Sequence, residues 1–590
     1  MYFAQRAISL NYVTMSSRDK PWMTPILKML IDRRWKAYRD RNWSLFLHYK
    51  VKVKEEICKA KRIWAAKCCK SSKHAWDVVK HVSNKNKRCD TRQLQNENGG
   101  LRNLLDKITH EFNSNFNHES DAPLLPITND AFQLHIEEAQ VFAQLKGLRC
   151  KKSPGSDDIA PRLLKEGALW LSAPLACIFN RSIAESTFPS PFKIAKVSPI
   201  PKKNMPGIRD FRPISLLPVI AKIFERLVLE HVKKSLIRLY GSQQHAFRPL
   251  GSTTSALVDI VESISSRLDS RETDAVRVTC IDLTKAFDKL PHRRLLNSLN
   301  SGGIDHGFLL WLLSYLSDRY QYVVMDGISG PVYKVTSGVP QGSVLGPYLF
   351  AAYMGSLLPQ ESQSKIVVYA DDITIIETVT DEHSSCVNDV VSCIAGAGLS
   401  VNQAKCTSLC VDRVPSHICD SVGVFDTRTH VKVLGFVLDE KLTWKEQISN
   451  TLQRASRRLY AIRILKKVLN NNDLKVVYDA LIMSLIMYAS PVYGQLSIGL
   501  MSKLERFHKR AHRIICDAKC KCFGTVDSRF REAAAMFLLN CETHADHPLH
   551  EAVPVRMTRT KHFMLPVCRT QRRLRTFFPF ACTLVNGHVS

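Results

Sequence analysis

Residues 367–376 read VVYADDITII, two adjacent aspartates inside an apolar run. Val367, Val368, Ile373, Ile375 and Ile376 are strand formers, so the chain on either side of Asp371 and Asp372 is expected to be buried sheet. An ionised carboxylate there is unfavourable unless a cation compensates it. A second acidic site lies upstream in VRVTCIDLTKAFDKLPH (276–292), where Asp282 ends another apolar run and Asp288 follows. An aspartate at a strand end can project into a cleft, and with Asp371 and Asp372 it could clamp two divalent cations. Cations of the magnesium kind take carboxylate oxygens together with substrate phosphate. Two of them, roughly 3.5–4 Å apart, stabilise both the attacking and the leaving oxygen of a phosphoryl transfer. Taken alone, the Asp-Asp pair fits a hairpin turn or a calcium site equally well.

Composition narrows the choice. The chain has 590 residues, 45% of them hydrophobic, which is ample for a large core. Lys and Arg number 83 against 54 Asp and Glu, a net charge of +29. That excess points to a polyanion, either nucleic acid or an anionic membrane surface. A ribosomal or histone-like protein seldom needs so much core; a basic enzyme without a polyanionic partner is the plain alternative. Eighteen cysteines and no secretory signal read as reduced thiols inside the cell. The opening MYFAQRAISLNYV lacks a basic leader and a long apolar core. Two uncharged stretches, 335–360 and 480–501, are too polar and too interrupted to span a bilayer and are read as protein interior, so no membrane partner is expected.

Along the chain, 18–92 is a basic helical region in which Lys and Arg outnumber acids roughly three to one, interleaved with Trp22, Trp35, Trp43, Trp64 and Trp76. A solvated charged face, packing on a neighbouring domain and stacking on bases all fit that pattern. NENGG (96–100) and SDAPLLPITND (120–130) read as loops. Between 131 and 440, helical periodicity (216–239, 254–269, 382–397) mixes with strand-like runs (276–282, 321–325, 366–370, 373–377, 431–438), which predicts an α+β sheet with helices on one face. After 440 the pattern is helical and basic, and no acidic residue follows Glu551.

Several motifs in order carry a resemblance. CIDLTKAFDKLPH (280–292), SGVPQGSVLGP (337–347), YADD (369–372), GLSVNQAKC (398–406) and KVLGFVLDEKLTW (432–444) resemble the five palm motifs of a reverse transcriptase. Upstream, FNRSIAESTFPSPFKIAKVSPIPKK (179–203), DFRPISLLPVIAKIFERLV (210–228) and QHAFRPLGSTTSAL (244–257) resemble fingers motifs of non-LTR retrotransposon enzymes of the LINE-type, Jockey-like group. The resemblance covers roughly 145–445.

The resemblance implies Asp282 and Asp371 as metal ligands, with Asp372 the second acid of the pair, and Phe287 as the steric gate beneath the sugar of the incoming nucleotide. Gln341 and Gly342 match the segment packing against nucleotide and template. Lys405 is the candidate proton donor to pyrophosphate, with a solvated surface lysine as its alternative. Lys202, Lys203 and Arg212 are candidates for gripping the triphosphate, with the two lysines not told apart. Asp288 is expected to cap the helix that KLPHRRLL (289–296) begins. Cys516, Cys520, Cys522, Cys541, His544 and His547 lie close together without a standard zinc spacing and read as ordinary helix and loop residues.

The implied whole is an α+β right-hand polymerase of fingers, palm and thumb, with a mixed palm sheet flanked by helices and basic helical extensions at both ends. The expected division is a basic N-terminal extension over 1–130, fingers and palm over 145–442, a helical thumb over 443–530 and a basic tail over 531–590. The implied activity is RNA-directed DNA polymerisation that copies retrotransposon RNA into cDNA. It would use two Mg²⁺ ions (or Mn²⁺), an RNA template, a DNA primer or nicked target DNA, and dNTPs. The expected location is intracellular, nuclear with a cytoplasmic phase. The segment ahead of 145 shows no acid and histidine cluster of the endonuclease that such elements usually encode. The rivals are a transposon remnant retaining only nucleic-acid binding, and an RNA-templated RNA polymerase, against which the AFD and YADD contexts and the bulk of Phe287 speak.

Overall fold

In the computed structural model the described residues are 19–588 without 70–91, 117–123, 129, 151–152, 204–205, 271, 360–363, 380–384, 414–424, 467–468 and 517–523. Trp76, Cys520, Cys522 and the opening MYFAQRAISLNYV therefore lie outside them.

The chain forms two compact units. The first comprises 1–87, 445–490 and 496–532 and is helical throughout its described residues. Thr24 starts its first helix, Pro25–Arg39, by accepting the Leu27 N–H at 3.1 Å, and Pro25 fits the first turn because its missing N–H would be unpaired there anyway. The helix Trp43–Cys69 packs back along it. Trp22 and Trp64 pair at 5.5 Å between ring centroids, whereas Trp35 and Trp43 stay exposed. Farther along, Tyr478 Oη and His508 Nδ1 lie 2.7 Å apart, and Arg529 pairs with Asp479 at 2.9 Å.

The second unit, 88–444 with 491–495 and 533–590, holds every strand found among the described residues and the expected α+β character. One four-stranded sheet runs β2 (Phe211–Leu216), β1 (Ile194–Pro201), β4 (Arg319–Met325), β5 (Ile328–Val335). β1 lies parallel to β4, the parallel strand pairing among the described residues. The other runs β6 (Lys365–Tyr369), β7 (Asp372–Val379), β3 (Ala275–Ile281), β8 (Thr407–Asp412) and is antiparallel across all its pairs. A two-stranded hairpin, β9 (His430–Val433) with β10 (Phe436–Asp439), follows.

β3 alternates apolar side chains in AVRVTCI and is buried almost throughout, as the centre of a covered sheet requires. Ile281, Ile366, Val368, Ile373 and Ile375 join one continuous core with the surrounding helices. At the heart of that core Phe179 stacks on Phe224 with 4.4 Å between centroids, and Phe188 meets Trp311 edge-on at 5.4 Å. Each such ring contributes about 1.5–3 kcal/mol through burial. The uncharged stretch from 335 is largely interior over its described residues, its core the buried helix Gly346–Leu357. Among the described residues no helix is long and apolar enough to cross a membrane.

The acid-free C-terminal segment packs onto the helix Thr253–Asp269. Asp269 accepts the N–H groups of Arg569 (2.9 Å) and Thr570 (2.8 Å), and the nearly buried Glu262 takes Arg573 and the Phe578 N–H. Arg556 is held by Glu542, and its guanidinium lies 4.0 Å above the Phe563 ring. Arg556 and Arg573 are thus engaged within the chain.

Candidate active site

Register brings the acids together. β3 and β7 run antiparallel with Ile281 facing Ile373, so the next positions outward are Asp282 and Asp372. Asp371 lies in the two-residue turn joining β6 to β7, where Tyr369 faces Asp372 and Ala370 takes a left-handed φ of 59°. A non-glycine residue there is sparsely populated and needs support from its surroundings. Gln244 supplies it: its side-chain oxygen accepts the Ala370 N–H at 3.0 Å, while the His245 N–H donates to the Val368 carbonyl at 2.9 Å.

The carboxylates sit uneasily. Burial, and then the neighbouring Asp282, raise the Asp371 carboxyl above the usual carboxylate range. Asp372 opens β7 on the exposed side. Partial desolvation, followed by Asp371 and Asp282, pushes it up to about 6. Mutual repulsion of this kind is what a divalent cation relieves. Among the described residues no three His, Cys, Asp or Glu side chains close a metal shell by themselves.

Asp282 and Asp371, but not Asp372, border a cavity of about 630 Å³ that Phe287, Gln341 and Lys405 also help to line, a size suited to a nucleotide-scale ligand. Cations face them. Lys202 and Arg212 both line the cavity, from the ends of β1 and β2. Burial lowers the Lys202 ammonium, and Arg212, Lys405 and Lys285 press it the same way. Lys203 differs: largely exposed, it pairs with Asp210 at 3.1 Å. The structure thereby separates the two lysines, with Lys202 at the cleft. Lys405 reaches in from the turn before β8, its ammonium 3.1 Å from Asp282 Oδ2. That turn is tied to the strand-end acid through the Asn402 N–H, which donates to the Asp282 carbonyl at 2.8 Å.

Phe287 is half-buried, lining the cavity with one face and stacking on Phe350 at 4.4 Å. Gln341 donates to Asp288 Oδ1 at 2.8 Å and accepts the Ser215 N–H at 2.9 Å. Gly342 has φ 134°, and a Cβ there would meet the Ser215 carbonyl oxygen at 2.5 Å, so only glycine fits this approach of loop to strand.

Asp288 does not cap the following helix. It lies inside the short helix Ala286–Lys289; the helix His292–Ser301 starts after Pro291 without a side-chain cap. With the polypeptide turning at Leu290 and Pro291, the Asp288 carboxylate points back to Gln341 instead. Burial raises it to about 6, against the pull of Gln341, Lys285 and Lys202.

Several cleft residues escape a reading of the sequence. Glu111 and Asn115, at the end of the helix Leu101–Asn113, line the cavity together with Lys285 and Arg209. Fully buried Glu225 accepts the Val344 and Leu345 N–H groups at 2.5 and 3.2 Å, fixing the start of the helix Gly346–Leu357. Lys285 immediately precedes the AFD motif (286–288), which was a usable signal; nothing in the sequence pattern links Glu111 to it. Of the Cys and His residues read as ordinary helix and loop residues, Cys541 Sγ lies 3.6 Å from His547 Nε2, and Cys520 and Cys522 lie outside the described residues.

Residues 200–438 match the family model described as reverse transcriptase (RNA-dependent DNA polymerase). A probable RNA-directed DNA polymerase from transposon BS of Drosophila melanogaster is 26% identical over 416 residues, 66% of this chain and 46% of the relative. An RNA-directed DNA polymerase from mobile element jockey of Drosophila funebris is 27% identical over 474 residues, 73% of this chain and 50% of the relative. The chain thus spans about half the length of these curated relatives. Among solved structures, a Candida albicans telomerase aligns with 92% of this chain and 97% of its own at a TM-score of 0.32 and 12% identity.

Proposed function

We propose that this chain, whose residues 200–438 form a domain of the reverse transcriptase family and whose relatives are non-LTR retrotransposon enzymes, is an RNA-directed DNA polymerase that copies retrotransposon RNA into cDNA. The observation that supports the reading is the register of β3 against β7. It places Asp282 and Asp372 at one level, with Asp371 in the adjoining turn, across a cavity from Lys202 and Arg212.

The reaction joins the primer 3′-oxygen to the α-phosphorus of a dNTP and breaks the bond to the pyrophosphate. Asp282, Asp371 and Asp372 would hold divalent magnesium, which when bound supplies hydroxyl activation and charge neutralisation. Lys202 and Arg212 grip the triphosphate, Arg212 with a fork suited to two phosphate oxygens. Phe287 floors the sugar site. Gln341 is held by Asp288 and Ser215, so the loop that faces the base pair is rigid before nucleotide arrives. Lys405 lies where it can protonate the leaving pyrophosphate. Catalysis is then positioning and electrostatics, with little covalent work for the protein. In this reading fingers and palm occupy 145–442 and the helical thumb 443–530, with an RNA template and a DNA primer as partners.

Templated extension of a DNA primer on RNA by the purified chain, with magnesium and dNTPs, tests it. Extension abolished by Asp371→Asn is expected. Absence of extension by the wild-type chain, or equal extension by the variant, overturns it.

A further inference from the structure

Lys285, like Arg209, is a cleft cation that the motif roles leave unassigned. It stands three residues beyond Asp282, at the head of the short helix Ala286–Lys289, with a left-handed φ of 50°. Lysine has no intrinsic preference for that conformation, and such outliers persist where the surroundings impose them for a purpose. The side chain is held at the cavity by two residues from outside the family-matched segment. Its ammonium donates to Glu111 Oε1 at 2.9 Å and to Asn115 Oδ1, both at the C-terminal end of the helix Leu101–Asn113. Glu111 also lies 3.7 Å from Arg209, across the same cavity.

An ammonium has three N–H groups. Glu111 and Asn115 take two and fix the direction of the third. The lysine side chain is still 31% exposed, so a ligand can reach it. Lys285 is close enough to Lys202 to lower that ammonium electrostatically, together with Arg212 and Lys405. Five cations around one cavity, Lys202, Arg209, Arg212, Lys285 and Lys405, repel one another, and the ligand that relieves such crowding is a polyanion of triphosphate size.

We propose that Lys285 is a further nucleotide-binding residue, donating to a phosphate oxygen of the incoming dNTP, and that Glu111 and Asn115 are positioning residues that hold its ammonium at the cleft. The inference rests on the polymerase reading and deepens it. It makes the helix Leu101–Asn113 part of the nucleotide site, although that helix lies outside the matched residues 200–438.

Single-nucleotide kinetics with the full chain test it, using dTTP on a poly(rA) template with an oligo(dT) primer. Lys285→Met should raise the KM for dTTP about tenfold, the scale of one charge-assisted hydrogen bond. Its kcat and its affinity for primer–template should stay within about twofold. Lys285→Arg, which keeps the charge, should recover most of the loss. Glu111→Ala should raise KM with the same kcat, and Glu111→Gln, which keeps an acceptor oxygen, should restore it. An unchanged KM in Lys285→Met, or an unchanged or lowered KM in Glu111→Ala, overturns the proposal. Should Lys285→Met fail to fold, the wild-type chain still decides. Saturating dTTP with magnesium should slow reductive methylation of Lys285, read by mass spectrometry, and an unchanged rate overturns the assignment. Lack of extension by wild type would defeat the polymerase reading itself; an active wild type with an unmoved KM in the variant defeats only the role of Lys285.

Discussion

The Lys405 ammonium lies 3.1 Å from Asp282 Oδ2, although the lysine side chain is 65% exposed and free to turn into solvent. A surface lysine with no function gains little from such a pair, since exposed ion pairs contribute about 0–1 kcal/mol. In the proposed reaction, a lysine held at the strand-end acid would stand beside the pyrophosphate leaving from the same cleft. Lys405→Met should therefore lower kcat by about a hundredfold, the usual scale of general acid catalysis, while KM for dNTP changes little. Rapid-quench primer extension measures it, and a rate within twofold of wild type returns Lys405 to the solvated surface.

Asp282→Asn and Asp371→Asn keep side-chain shape and remove a charge. Incorporation should fall by about a thousandfold or more, given that metal and positioning effects supply most of such a barrier. Primer–template affinity, measured by filter binding, should stay within about twofold, because it rests on Lys and Arg outside the acid cluster. Wild-type rates in Asp371→Asn would remove the carboxylates from the chemistry.

The palm was legible because its signals are local. VVYADDITII carries its strands, its turn and its charge in ten consecutive residues, and the observed β6 and β7 differ from the expected runs by one or two positions. β1 was not legible: Pro199 and Pro201 argue against an inner strand, yet β1 pairs with β2 on one side and β4 on the other, Pro199 facing Pro213. β5 is largely exposed and lacks the apolar alternation that marks a half-buried strand. At the site, the acids, Phe287 and Gln341 could be read because each belongs to a short motif. Glu111 could not, because its partner Lys285 is 174 residues away and only the folded chain joins them. Asp288 misled for a related reason. Sequence showed a helix ahead of it, but the carboxylate is claimed by Gln341, 53 residues on.

Gly342 allows a backbone test. Its φ of 134° is closed to side chains, and a Cβ would press on the Ser215 carbonyl at 2.5 Å. Gly342→Ala should destabilise the second unit by about 1–3 kcal/mol and displace Gln341 with it. The expected result is a lower melting temperature together with a KM for dNTP raised severalfold. An alanine variant with unchanged KM and melting temperature would show that the loop yields easily.

Phe287 answers to two demands at once, stacking on Phe350 and lining the cavity. Phe287→Val should open room for a 2′-hydroxyl and raise the rNTP to dNTP efficiency ratio by roughly tenfold to a hundredfold, the 1–3 kcal/mol of one relieved overlap. Loss of the ring stack should also cost about 1 kcal/mol of stability. Steady-state efficiencies for UTP and dTTP on one RNA template separate the two effects. A lower stability with an unchanged ratio would leave Phe287 a core residue only.

Asp288 makes a prediction in pH. Its carboxyl, raised to about 6 by burial, is ionised above that value in the folded chain but already above about 4 in the unfolded one. The folded state therefore holds its proton longer, and stability falls as pH rises from about 4 to about 6. The full loss is about 3 kcal/mol for two pKa units and is complete near pH 7. Asp288→Asn removes that titration and keeps an acceptor oxygen for Gln341. The variant should thus gain on wild type through this window, so that the gap in melting temperature measured without metal widens from pH 4.5 to 7 and stays constant from 7 to 8. Primer extension at pH 7.5 should persist, because Gln341 remains anchored. A gap that does not vary with pH would show that the Asp288 carboxylate titrates normally and is solvated in the folded chain.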